Sequence, residues 1–259
     1  MSDRRFYVQQ LPPVGSEFSL DATTARHLYV LRIKPGAMLV CFDATSRQTQ
    51  VELRSLHENS ALCRVLRDVG SASATARLVL VQCLPKGHKI ELGVRMATEL
   101  GVDAIHLAIS ERTIVRPEPH RSDARHKRLV RIAQEAAQQA QRSKVVEVVP
   151  AVPLLEAAAR APAPARKIVF WESSDSSLDD APAWDDVSEA WIIVGPEGGL
   201  SQHEVQELGR LGYAAHGLGQ TVLRVETAVP VAIALVADRL GCWGNGPRGS
   251  LLKRNRQAC

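Results

Sequence analysis

The sequence has no long apolar run. None of its hydrophobic stretches approaches the ~20 residues that a helix needs to cross a bilayer, so we expect no contact with a membrane. The first five residues are polar and lack the apolar core of a secretory signal. A cytoplasmic location is therefore the expectation.

Cysteine is scarce and scattered. Five cysteines occur in 259 residues, and no two of them form a CxxC pair. An odd number at wide spacing does not fit a disulfide framework or a zinc site, so we expect no metal. Cys83, which follows an apolar run, is predicted to be a small buried side chain.

The net charge is small, but the basic residues are clustered. The formal net charge is +4, too little on its own to indicate a nucleic-acid partner. Between positions 110 and 144, however, nine Lys or Arg stand against four Asp or Glu. Such a cluster attracts phosphate, whose neutralisation dominates nucleic-acid affinity. A solvated helix face explains the pattern equally well.

The chain changes its pattern near position 73. Before it, three short runs rich in Val, Leu and Cys, at 37–42, 48–56 and 61–69, are separated by turn residues and predict a small β-barrel. Residues 70–75 form a Ser/Ala run, the best linker candidate. After it, apolar strands alternate with helices, which predicts a mostly parallel α/β sheet. The predicted divisions are 1–72, 73–240 and a basic Gly/Pro-rich tail, 241–259, expected to be disordered.

The most informative stretch is 192–201, Ile-Ile-Val-Gly-Pro-Glu-Gly-Gly-Leu-Ser. An apolar strand ends in a glycine-rich loop stiffened by Pro196, and Ser201 with Glu204 has the spacing of a capping box. Glycine lets a ligand approach the backbone closely, and ligands of parallel sheets sit at the carboxyl ends of strands. The loop lacks the spacing of phosphate-binding motifs. A purely structural turn is the alternative.

A second stretch, 218–228, has the same character. Leu-Gly-Gln-Thr-Val-Leu-Arg-Val-Glu-Thr-Ala follows a short apolar segment and leads into the last helix. Arg224 and Glu226 lie at the helix start, where a carboxylate suits the helix dipole; a local ion pair or cap is the alternative. The helix itself has a broad apolar face, which predicts burial in a core or in a dimer.

The two stretches resemble the S-adenosylmethionine (SAM) binding signature of the SPOUT methyltransferases, most closely that of the RsmE family of 16S ribosomal RNA uracil-N3 methyltransferases. Further segments match in the same order. Residues 4–6 and 27–32 resemble the family's N-terminal PUA-like barrel, and 86–87, 97–102 and 110–112 resemble segments of its catalytic domain. Two positions depart from the family: Gln138 replaces a usual acidic residue, and Met96 replaces a common basic one.

The resemblance implies a SPOUT-type parallel sheet with a C-terminal trefoil knot, a PUA-like barrel that binds RNA, and a homodimer. It implies methylation of uracil N3 at uridine 1498 of 16S ribosomal RNA, by family analogy, with the assembled small subunit as the expected substrate. SAM would be held by three loops, largely through backbone groups. The expected SAM contacts are Trp171, Glu172, Gly195, Pro196, Glu197, Gly198, Gly199, Leu218, Gly219, Leu223 and Arg224.

Candidate catalytic and RNA-binding residues follow from the chemistry of this reaction. Uracil N3 must lose its proton before it is a good nucleophile, and a cation such as Arg224 can stabilise the resulting anion. Glu226 is the second catalytic candidate, with a structural role as the alternative. The expected RNA contacts are Arg4, Arg5, His27, Arg32, Lys86, Arg112, Arg128, Arg131 and Arg142.

Other functions stay open at this stage. A SPOUT enzyme could act on another RNA, such as transfer RNA, and an RNA-binding assembly factor could keep the fold without catalysis. A nucleotide-dependent enzyme of doubly wound fold would need a phosphate loop after the first strand, and residues 84–88 lack its glycine spacing. The intact glycine loops favour SAM binding over both non-methylating alternatives.

Overall fold

The structure, a computed structural model, describes residues 5–43, 45, 47–69, 76–114, 119–142 and 144–242, without the side chains of 119–122. Arg4, the linker candidate 70–75 and the tail from 243 onward lie outside the described residues. The described residues divide into two compact units. The first holds those up to 69 and those within 137–145, and the second holds the others.

The first unit is built on a five-stranded sheet in the order β1-β3-β4-β5-β2. Its strands are β1 (Arg5–Tyr7), β2 (Glu17–Leu20), β3 (Met38–Phe42), β4 (Gln48–His57) and β5 (Ser60–Asp68). Strand β1 runs parallel to β3, and the other pairs are antiparallel. The three longer strands are the predicted ones, whereas β1 and β2 are too short to show an alternating pattern.

One helix, α1 (Ala22–Val30), packs on this sheet. It begins at Asp21, whose carboxylate accepts a hydrogen bond from the Thr24 N–H at 2.9 Å and so caps the helix. Leu28 of the helix is fully buried with Leu53 and Val65 of the sheet. The first unit therefore has its own apolar core.

The second unit is built on a six-stranded sheet in which every pair is parallel. Its order is β11-β9-β10-β6-β7-β8. The strands are β6 (Arg77–Cys83), β7 (Ala104–Ile109), β8 (Glu147–Pro153), β9 (Arg166–Phe170), β10 (Glu189–Val194) and β11 (Ala214–His216). The predicted α/β fold with a parallel sheet is confirmed.

Helices cover both faces of this sheet. They are α2 (Lys89–Glu99), α3 (Pro119–Gln139), α4 (Leu154–Ala159), α5 (Gln202–Arg210) and α6 (Val225–Arg239), with a short 3-10 helix at Leu178–Asp180. Leu78 and Leu80 of β6 face the core under α2, α3 and α6, and Val79 and Val81 face the core under α4 and α5. Burial on both faces explains why the strand is continuously apolar.

One local prediction about a helix start can be compared with the structure. The Ser201 hydroxyl accepts a hydrogen bond from the Glu204 N–H at 3.1 Å, and the Glu204 carboxylate accepts one from the Ser201 N–H at 2.9 Å. The predicted capping box is therefore confirmed. Among the described helices, none is long and apolar enough to cross a membrane.

Candidate functional site

Three loops meet at the carboxyl edge of the parallel sheet, after β9, β10 and β11. Between them lies a cavity of about 410 Å³. Ten of the eleven expected SAM contacts line it, and the exception is Gly198. The remaining lining residues come from strand ends, the loop after β11 and the starts of α2 and α6: Lys89, Phe170, Val194, Gln220, Thr221, Val222, Val225 and Ala228.

The loop after β10, residues 195–199, is here called the first glycine loop. Its turn is closed by the Gly199 N–H, which donates to the Pro196 carbonyl at 2.9 Å. Gly199 has φ +67°, a left-handed conformation that side chains disfavour. A Cβ on Gly195 would lie 3.1 Å from Leu200 Cγ. The backbone conformation therefore favours glycine at 199, and space is tight for a side chain at 195. The absence of both side chains lets a ligand approach the loop closely.

The loop after β11, residues 217–224, is here called the second glycine loop. Its start is fixed by the Gly217 N–H, which donates to the Ser176 carbonyl at 2.8 Å. A Cβ at Gly217 would lie 2.7 Å from the Ser174 carbonyl oxygen, so no side chain fits there. Gly219 has φ +110°. The loop ends at Arg224, whose carbonyl accepts hydrogen bonds at 2.8 Å from the first turn of α6.

Trp171 joins the loop after β9 to its neighbours. Its backbone N–H donates to the His216 carbonyl at 3.0 Å. Its indole Nε1–H donates to the Leu200 carbonyl at 3.3 Å. The half-buried ring thus connects the end of β11 with the residue that follows the first glycine loop, and it forms part of the cavity wall.

A lysine and two carboxylates form a charged group at one side of the cavity. Lys89 Nζ, at the start of α2, lies 3.2 Å from Glu197 Oε1 and 3.3 Å from Glu226 Oε1. The Lys86 backbone N–H also donates to both Glu197 oxygens at 3.1 Å. This group of side chains is here called the Lys89 cluster. It connects the first glycine loop with the helix that follows the second.

The surroundings favour the charged forms of both carboxylates. Burial raises the pKa of Glu197, but the backbone N–H groups of Glu197 and Lys86 and the Lys89 ammonium outweigh it, so its pKa lies below its usual value. For Glu226, the hydrogen bond from its own backbone N–H is the main cause of a lowered pKa. Lys89 and Arg224 lower it further against the effect of burial. A carboxylate with a lowered pKa is a weak proton acceptor.

The two catalytic candidates therefore occupy different places. Arg224 lines the cavity with an exposed guanidinium. Glu226 does not line it, and one of its oxygens, Oε2, is buried without a hydrogen-bond partner among the described residues. Gly198 is also absent from the cavity lining, and its carbonyl accepts a hydrogen bond from Arg112 Nη1 at 2.8 Å.

The expected RNA contacts fall in both units. In the first unit, His27 and Arg32 are exposed, and Arg32 has φ +54°. The Arg5 backbone N–H donates to Gln141 Oε1 at 2.9 Å. Arg142 is half-buried. Arg4 belongs to the residues that are not described.

In the second unit, the expected RNA contacts are more closely grouped. Lys127, Arg128 and Arg131 on α3 surround a shallow, open depression of about 380 Å³. Arg128 is paired with Glu91 at 2.8 Å, and the largely exposed Arg131 lies 3.4 Å from Glu135. Lys86 is exposed at the start of the loop before α2. Within the ranges that the structure describes, no group of His, Cys, Asp or Glu could hold a metal ion.

Lys89 is a charged site residue that was not among the expected contacts. The residue type offers one indication. A lysine in the first turn of a helix is repelled by the positive end of the helix dipole, and a nearby anion offsets that repulsion. The two carboxylates that provide it come from distant parts of the chain. Only the fold brings the three side chains together.

The relatives found by comparison with known proteins are consistent with one another. Residues 72–237 match the family described as RNA methyltransferase domain. The Ribosomal RNA small subunit methyltransferase E of Mycobacterium bovis is 31% identical over 244 residues, 92% of each chain. That of Bacillus subtilis is 27% identical over 229 residues, 85% of this chain and 89% of the relative.

Solved structures agree. The Ribosomal RNA small subunit methyltransferase E of Neisseria gonorrhoeae, bound to S-adenosyl methionine, is 30% identical with a TM-score of 0.80, and covers 90% of this chain and 96% of its own. A Legionella pneumophila protein has a TM-score of 0.81 at 23% identity, over 94% of this chain and 99% of its own. At that identity the likeness concerns the fold alone.

Proposed function

The chain belongs to the RsmE family of ribosomal RNA small subunit methyltransferases, and from this premise we propose that it transfers a methyl group from SAM to N3 of a uridine in 16S ribosomal RNA. One observation carries the proposal. Three loops at the carboxyl edge of a parallel sheet enclose a cavity, and the 30% identical Neisseria gonorrhoeae relative binds SAM.

The cavity residues suit SAM in size, shape and charge. A volume of about 410 Å³ falls in the range of small-molecule sites, about 300–1,000 Å³. The absence of side chains at Gly195, Gly199 and Gly219 leaves backbone groups accessible to a ligand. SAM carries a sulfonium and an ammonium, and the carboxylates of Glu172 and Glu197 in the wall offer them opposite charge.

We propose the knotted form of this fold, as the family resemblance implies. Strand β10 lies between β9 and β6, and β11 adds outside β9, so the three strands whose ends carry the loops are neighbours in the sheet. A trefoil knot formed by residues after β9 would hold the three loops without a disulfide or metal. We assign the methyltransferase domain to 73–240 and a PUA-like barrel to 1–72.

When bound, SAM supplies an electrophilic methyl group on its sulfonium. The protein must orient uracil N3 toward that methyl and stabilise the charge left when N3 loses its proton. The exposed Arg224 guanidinium, at the cavity edge, is suited to hydrogen-bond the oxygen that carries this charge. Glu226 is held by Lys89 and has a lowered pKa, which favours a structural task over proton abstraction.

RNA would approach along the basic face of α3. Lys127, Arg128 and Arg131 present three positive charges around one depression, and such charges bind phosphates without reading sequence. His27 and Arg32 of the first unit would add contacts to unpaired nucleotides, because N3 is hidden in a Watson–Crick pair. A homodimer is proposed from the family resemblance.

One assay tests the proposal. Small ribosomal subunits that lack the methyl group are incubated with the protein and labelled SAM, and the RNA is mapped by primer extension. We expect label and an extension stop at a single uridine, position 1498 by family analogy, only when protein and SAM are both present. Label on transfer RNA alone would indicate another SPOUT activity, and no calorimetric heat with SAM would indicate an assembly factor.

A further inference from the structure

The Lys89 cluster links three segments that are far apart in sequence. Lys89 opens α2, Glu197 lies in the first glycine loop, and Glu226 lies in the first turn of α6, two residues after the second glycine loop ends. The ammonium is within 3.3 Å of an oxygen on each carboxylate. All three side chains are partly buried, with 35%, 26% and 29% of their surfaces exposed.

These contacts cannot be explained by the needs of α2 alone. A lysine in the first turn adds positive charge where the helix dipole is already positive, so Lys89 does not stabilise its own helix. The buried residues of α2 are Ile90, Val94, Ala97 and Thr98. None of them carries a charge that Lys89 would neutralise. The benefit of Lys89 must come from the two carboxylates that it joins.

We propose that Lys89 is a positioning residue that holds the two glycine loops in their binding arrangement before SAM arrives. The inference rests on the proposed function, because it takes this cavity to be the SAM site. Glu197 transmits the restraint to the first glycine loop directly. Glu226 transmits it to the second glycine loop through the Arg224 cap of α6.

The benefit is preorganisation. A loop that must be ordered by its ligand lowers affinity by the cost of that ordering, and a loop held in advance does not. Without Lys89, the carboxylates of Glu197 and Glu226 would lose the ammonium that lies within 3.3 Å of each of them. Repulsion would then add to the loss of the restraint.

A rival explanation is that Lys89 binds the ligand directly, since it also lines the cavity. The two explanations differ in how Glu226 should behave. If Lys89 acts through the carboxylates, then Glu226→Gln weakens SAM binding, and adding Glu226→Gln to Lys89→Met weakens it little further, because Lys89→Met already removes both ion pairs. If Lys89 contacts SAM itself, Glu226→Gln frees the ammonium for the ligand and leaves SAM binding as tight as in the wild type or tighter.

The experiment is a double-mutant cycle read by calorimetry with SAM and by amide hydrogen exchange without it. We expect Lys89→Met to weaken SAM binding by about tenfold and Lys89→Arg to restore it to within about threefold. We expect the double variant Lys89→Met/Glu226→Gln to be little weaker than Lys89→Met. The control, Lys34→Met, removes an exposed lysine of the first unit and should leave SAM affinity unchanged.

Amide exchange separates this inference from the proposed function. Without cofactor, Lys89→Met should speed exchange at 195–199 and 217–224 and leave the β6 amides protected. Unchanged exchange in both loops, or a Glu226→Gln variant that binds SAM as tightly as the wild type or more tightly, would overturn the positioning role. If the wild-type protein gives no heat with SAM but its loops loosen in Lys89→Met, the proposed function fails and the restraint stands. Thermal unfolding of each variant shows whether it is folded.

Discussion

The carboxylate of Glu172 fills the space that a side chain on Gly199 would need. A Cβ built on Gly199 would overlap Glu172 Oε1 and crowd Oε2 at 3.0 Å. Gly199 also has φ +67°, a conformation that disfavours any side chain, and a Cβ there would in addition require the Glu172 carboxylate to move. Because both residues line the cavity, that movement would change the cavity wall.

Substitution of Gly199 should damage the cavity more than a comparable change in the second glycine loop. We expect Gly199→Ala to lower the free energy of unfolding by about 1–3 kcal/mol and SAM affinity by at least about tenfold. Gly219 has φ +110° but open space around it, so Gly219→Ala has strain without the clash. SAM affinity is measured by calorimetry on Gly199→Ala, on Gly219→Ala and on the double variant Glu172→Ala/Gly199→Ala. The comparison separates backbone strain from the contact with Glu172. SAM affinity at the wild-type level in Gly199→Ala would contradict this account of the loop.

Arg224 should matter for the chemical step more than for cofactor binding. Loss of a preorganised donor to a developing negative charge typically costs about 100-fold in rate. We expect Arg224→Ala to lower kcat by about that factor and to change the Kd for SAM by less than about threefold, with partial recovery in Arg224→Lys. Single-turnover methylation measures the rate. A variant with weak SAM binding and a normal rate would instead place Arg224 among the cofactor contacts.

The basic face of α3 should bind RNA through phosphates. Arg131 is largely exposed, so Arg131→Glu removes a phosphate contact without disturbing the core. We expect weaker binding to the small subunit and a salt dependence whose slope falls by about one, with SAM affinity unchanged. Arg210→Glu, on the exposed side of α5, is the matched control. Equal losses in both variants would show a general charge effect rather than a binding face.

Local features of this fold could be predicted from sequence, and long-range ones could not. The Ser201 capping box depends on residues three apart, and the strand–loop–helix pattern around Gly195 is continuous in the chain. The order of the strands in the sheet could not be predicted in this way. Strand β10 lies between β9 and β6, and no local sequence pattern specifies the neighbours of a strand. The hydrogen bond between Arg112 and the Gly198 carbonyl, 86 residues apart, is likewise a long-range contact that no local pattern contains.

A buried histidine should make the protein less stable in mild acid. His106 on β7 packs against Trp191 with ring centroids 4.7 Å apart, and its Nδ1 has no hydrogen-bond partner in the described part of the chain. Burial, aided by the positive charges of Arg160 and Arg77, lowers its pKa from 6.5 to about 4. Between these two values the unfolded chain binds a proton that the folded protein does not.

The free energy of unfolding should therefore fall as the pH drops from about 6.5 to about 4, and be unaffected by this group above that window. The full effect is on the order of 3 kcal/mol. Carboxylates with lowered pKa values, such as Glu197 and Glu226, lose their contribution at lower pH, below 4.5. Denaturant unfolding at several pH values measures the slope. His106→Leu should flatten it between pH 4 and 6.5, whereas His203→Leu, at an exposed position on α5, should not; equal slopes in His106→Leu and wild type would rule His106 out as the cause.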